Sequence, residues 1–160
     1  FYTQRPVVGV ATTPPITVVL RKTLSALVAS FNNVPTPDGG KAVDDTLGNI
    51  YGRLFDCENK PAGNVQLTYA NALGMPLAKE PIVLFFDEQN VPSLTRKWSF
   101  PTGVFSSLNI SLENINVATT LIVDPNSTPV KTRSIRSEYA LRLASQRMTT
   151  VHFYPRNYSK

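Results

Sequence analysis

At 160 residues the chain is long enough for one domain with a core that needs no disulfide staples. Thirteen prolines against eight glycines, with only 17% charged residues, argue against long helices. They fit many short elements, a mixture common in secreted β proteins. The formal charge of +5 is uneven: Lys131 to Lys160 holds seven basic residues and one acid, Glu138, while the rest of the chain is close to balance.

Phe1 to Pro15 reads as an arm, in which Tyr2, Val7, Val8 and Val10 favour a short strand that Thr12-Thr13-Pro14-Pro15 stops. From Ile16 to Asn33 the spacing predicts a helix, with Leu20, Leu24, Leu27, Val28 and Phe31 on one face. Thr13 or Thr17 caps its start, and Asn32-Asn33 and Pro35 end it. Its apolar stripe would cross an open sheet or one end of a sandwich. Val34 to Gly48 is a loop whose acids Asp44 and Asp45 lack the regular oxygen spacing of a calcium loop. Asn49 to Tyr69 reads as a hairpin: Ile50, Leu54 and Phe55 in one arm, Val65, Leu67 and Tyr69 in the other, and turn residues from Asp56 to Gly63 between. Strands are expected at Pro81–Asp87, Leu94–Ser99, Val104–Leu112, Val117–Val123, Ile135–Leu143 and Thr149–Tyr154. Core candidates are Leu24, Leu27, Ile50, Leu54, Val65, Leu67, Val83, Phe85, Phe105, Leu108, Leu121, Leu141 and Phe153.

Seven or eight strands at this spacing imply a β-sandwich. Gly52-Arg53, Asp56-Cys57, Lys60-Pro61-Ala62-Gly63 and Val65 also form a pattern. It resembles the opening of transthyretin-like, carboxypeptidase-regulatory-like domains of secreted bacterial proteins. Thr102-Gly103-Val104-Phe105 is similar to a later element of that family, though without its Asp. The resemblance covers about Ile50 to Ile110. The fold it implies is mainly β, an immunoglobulin/transthyretin-like sandwich with one N-terminal helix. The chain divides accordingly into an arm at 1–15 and a sandwich domain at 16–160, its helix at 16–33.

Chemistry-bearing residues are few. His152 is the single histidine, set between Val151 and Phe153 and expected to face solvent. Cys57 is the single cysteine, read as a buried packing residue, with a free thiol or an intermolecular bridge as alternatives. One of each is too few for a zinc site, and no G-x-S-x-G elbow is present. Intradiol dioxygenases, whose sandwich is related to the family resembled, hold iron with two tyrosines and two histidines, which a single histidine excludes. The pairs Asp56 with Glu58 and Asp87 with Glu88 are ordinary turn acids. No catalytic, cofactor-binding or metal-ligating residue is expected. Asn109, Asn126 and Asn157 head N-x-S/T sequons.

The expected function is therefore a non-enzymatic extracellular or cell-surface subunit. It would self-associate through its arm, with Phe1, Tyr2, Val7, Val8 and Val10 as interface, into a homo-oligomer, surface layer or filament. The alternative is a carbohydrate-binding or adhesion module using Trp98, Tyr158 and Arg96, with surface glycans as partners. Nucleic acid is a disfavoured partner, since no aromatic residues interleave with a tight basic cluster. No membrane span is expected, because no run approaches ~18 consecutive apolar residues. The first residue is not Met, which suits a processed or partial form.

Overall fold

The structure, a computed structural model, describes residues 3–4, 16–19, 44, 46–93, 95–145 and 148–154. Its strands are β1 (Thr3–Gln4), β2 (Ile16–Val19), β3 (Gly48–Leu54), β4 (Val65–Asn71), β5 (Ile82–Phe86), β6 (Pro92–Ser93), β7 (Val104–Ile110), β8 (Asn114–Asp124), β9 (Lys131–Arg142) and β10 (Met148–Phe153). They form a seven-stranded sheet ordered β1-β2-β10-β3-β7-β5-β6 and a three-stranded sheet ordered β4-β8-β9. The protein is mainly β, as its composition implies. One pairing is parallel, β3 with β10; the other ladders are antiparallel.

Period-two alternation places the core. Ile50 and Leu54 on β3, Phe85 on β5, Phe105 on β7 and Val151 and Phe153 on β10 meet Val65, Leu67, Ile115, Val117 and Leu141 of the small sheet. Phe153 stacks between Phe105, at 5.6 Å, and Tyr139, at 4.6 Å. Val83 and Leu121 pack at its margin, and Leu24 and Leu27 lie outside the described residues. On the alternate positions of the large sheet, Leu84, Phe86, Val104, Leu108 and Met148 form a second buried cluster. As a result β7 is buried along its whole length. Its two serines are satisfied there: Ser106 donates to the Ile50 carbonyl at 3.0 Å, and Ser107 shares a hydrogen bond with the Tyr69 hydroxyl.

Three sequence expectations need correction. Ile16–Val19, the expected start of a helix, is a strand paired with Met148–Thr150 of β10. Four consecutive β-branched residues, Ile-Thr-Val-Val, suit a pleated strand better than a helical turn. The remainder of that span, 20–33, lies outside the described residues. The Asn49–Tyr69 stretch is no simple hairpin, because β3 and β4 belong to different sheets. Its turn closes locally, with Ala62 N–H donating to Leu54 O and Asp56 N–H to Lys60 O. Asn64, at φ 58°, then redirects the chain to the facing sheet. The strand expected at Leu94–Ser99 is absent from the described residues 95–99; only Pro92–Ser93 pairs with β5.

Candidate interaction surfaces

Of the residues singled out for binding, the structure brings Arg96 and Trp98 together. They lie on the irregular segment between β6 and β7. Arg96 Nε donates to the Trp98 carbonyl at 3.0 Å, and its guanidinium sits 4.1 Å over the Phe100 ring. Arg96 thus braces its own loop, while the Trp98 ring stays partly exposed. Phe1, Tyr2, Val7, Val8, Val10 and Tyr158 lie outside the described residues. Between them, Thr3–Gln4 pairs with Thr17 and Ile16 of the same chain, so that part of the arm joins its own sheet.

The loop anchor is Ser99, which sequence reasoning missed. It is fully buried and ties the β6–β7 connection to the start of β4. Its N–H donates to Val65 O at 2.9 Å, its Oγ donates to Ala62 O at 2.8 Å, and that same Oγ accepts from Val65 N–H at 3.0 Å. Asn64 N–H donates to Ser99 O. A serine beside a tryptophan carries no sequence signal for this role.

His152 is half-buried rather than solvent-facing. Its ring meets Phe55 edge-on at 5.5 Å, and Phe55 stacks on Tyr154 at 4.8 Å. Burial lowers its pKa first, and the Arg53 charge, in register across the β3–β10 ladder, lowers it further. Cys57 is exposed, contrary to the buried reading. It occupies a turn in which Asp56 Oδ1 accepts the N–H groups of Glu58 and Lys60, which turns Cys57 outward. Asn109 is buried at φ 61°. It accepts from Asp44 N–H, and its own N–H donates to Asn49 Oδ1, so its sequon is held inside the fold. Asn126 lies exposed in the β8–β9 turn.

Four strands form sheet edges. β4 is covered at both ends by its own chain: Ser99 occupies Val65, and Met75 O accepts from Asn71 N–H beside an Ala70–Pro76 bridge. β6 is two residues long and contains Pro92. β1 is two residues long. β9 is twelve residues long and carries Lys131, Arg133, Arg136 and Arg142.

Among the described residues no group of three or more His, Cys, Asp or Glu is placed to hold a metal ion. No described helix is long and apolar enough to cross a membrane. Comparison with protein-family models, curated proteins and solved structures gives no match.

Proposed function

We propose that the chain is a non-enzymatic structural subunit of an extracellular or cell-surface assembly, built by strand addition between copies into a layer or filament. The observation that carries this reading is the end of the large sheet. β1 is its outermost strand, bonded on one side to β2, with no strand on its other side among the described residues. Such an edge accepts a neighbour's strand through backbone hydrogen bonds. Two β1 edges meeting make a closed pair; an open polymer requires β1 to meet a different edge of the next copy. The lack of a paired nucleophile and base in the sequence supports binding over catalysis.

A transthyretin-like ancestry belongs to the same proposal, supported by the motif glycines. Gly52 leaves no room for a side chain, and Gly103 adopts φ +65° against Leu54 O. Light scattering and negative-stain microscopy test the assembly, on the full chain and on a form lacking Phe1 to Thr13 whose β content is verified by circular dichroism. Particles larger than a monomer for the full chain only are expected. Monomers of both at high concentration refute the reading.

A second reading, glycan binding, rests on the partly exposed Trp98 ring held on a braced loop. Trp98 fluorescence that does not respond to a panel of surface glycans removes it.

A further inference from the structure

We infer that the outer edge of β9 is a docking edge for an extended acidic peptide strand supplied by another protein. At about 3.3 Å per residue, its twelve residues offer roughly 40 Å of edge. The other edges are short or are covered by their own chain. Among the described residues β9 pairs with β8 alone, and beyond that ladder its Lys131 N–H donates to Ser127 Oγ at 2.9 Å. Alternate N–H and C=O groups of an antiparallel edge strand point outward.

The charge on this edge selects the occupant. Two register shifts against β8, at Ala118/Thr119 and at Ile122/Asp124, leave β9 two straight stretches, Thr132–Ile135 and Glu138–Arg142, with Lys131 just beyond the first. Lys131 and Arg133 at this end are both exposed, and it holds no acid. Lys131 stands opposite Asp124, but that carboxylate accepts the Asn126 N–H at 3.1 Å. The one ion pair among the described residues is Lys60–Glu58, so Lys131, Arg133 and Arg142 form no direct ion pair there. A second copy of β9 is a poor occupant, since antiparallel end-to-end pairing sets Lys131 opposite Arg142. An acidic strand places its carboxylates against the same groups while its backbone completes the ladder. Nucleic acid fits less well. Its phosphates accept hydrogen bonds but cannot donate to the outward carbonyls, and the one aromatic residue of β9, Tyr139, is buried.

The probe is a synthetic peptide of about eight residues alternating Glu and Val, long enough to span one straight stretch of β9. Anisotropy measures its binding to the full chain, and amide NMR locates it. The expected result is saturable binding with shifts concentrated on Lys131 to Ile135. Affinity should fall roughly tenfold or more with a peptide N-methylated on alternate residues, which keeps the charge and loses the donors. It should fall similarly with the Lys131→Glu, Arg133→Glu double variant, whose exposed sites leave the fold intact by circular dichroism. Equal binding of the N-methylated peptide, or no peptide binding at all, overturns the inference. Tighter binding of a single-stranded oligonucleotide or a heparin fragment than of the peptide also overturns it, leaving an anion surface rather than a strand acceptor.

Discussion

Replacing Gly52 with alanine tests the packing at the centre of the large sheet. Gly52 pairs with Val151 of β10 on one side and with Phe105 of β7 on the other. A Cβ there would lie inside contact distance of the Val151 carbonyl oxygen and 2.9 Å from two carbons of the Phe105 ring. Neither neighbour can retreat. The oxygen belongs to the backbone of the central β10 strand, and the Phe105 ring is fully buried and stacked on Phe153. Overpacking a tight core typically costs about 1–3 kcal/mol. Shifting a backbone ladder adds about 1 kcal/mol for each hydrogen bond weakened. The gain from a stiffer unfolded chain, about 0.4–1 kcal/mol, does not offset this. With the middle of each range and one ladder bond weakened on each side of Gly52, a net loss of about 3 kcal/mol follows, which at ~2–4 °C per kcal/mol for a chain of this size lowers Tm by ~6–12 °C. Urea unfolding followed through the single tryptophan, Trp98, measures it. Gly74→Ala is the comparator: its site is open to solvent, and only its φ of +77° opposes a side chain, at about 1–2 kcal/mol. A Gly52→Ala protein as stable as Gly74→Ala, or more so, refutes the packing argument.

Ser99→Ala should cost about 1–3 kcal/mol in the same urea assay, because it strips the Val65 N–H and the Ala62 carbonyl of their buried partner. An effect within 0.5 kcal/mol, roughly that of an ordinary surface substitution, would show that the serine does not anchor its loop to β4. Burial pushes the Tyr69 phenol well above its ordinary pKa, and the folded state therefore keeps the proton that the unfolded chain releases. Stability should fall as pH rises past ~10, and Tyr69→Phe should remove that alkaline loss in pH-dependent melts. His152 has the opposite dependence on acid: its folded pKa is lowered, the unfolded chain binds the proton more readily, and stability should decline as pH falls below ~6.5. Imidazole NMR should show titration below that value, and His152→Gln should flatten the slope.

The strands were legible where both faces of a segment leave a mark. Ile82 to Phe86 is apolar throughout, and Val104 to Ile110 mixes apolar residues with small polar ones that β7 can bury. The partners of those strands were not legible. Nothing local to Asn49–Tyr69 says that its two arms face each other across a core instead of sharing a ladder, since alternation is identical in both cases. At Ile16–Val19 the leucine spacing that follows outweighed a β-branched run, which was the better signal. The candidate surfaces were less visible still. Arg96 and Trp98 were found by residue type, but the Arg96–Phe100 contact and the Ser99 anchor depend on where the chain doubles back. The basic character of Lys131–Arg142 was plain, whereas its position at an edge is a property of the whole sheet.

The position of β10 between β2 and β3 also bears on how the chain is made. β3 emerges from a ribosome roughly a hundred residues ahead of its parallel partner, as Met148 pairs with Asn49. Until Met148 to Phe153 are released, the centre of the large sheet has a gap, and both β2 and β3 present unsatisfied backbone to whatever strand is nearest. Closing so long a loop is slow, because its entropy is lost before its contacts form. Between the release of β3 and that of β10 the large sheet is therefore incomplete, and a strand from a second nascent chain can enter that slot. Domain-swapped dimers exchanging β10 are the misassembly that this topology invites.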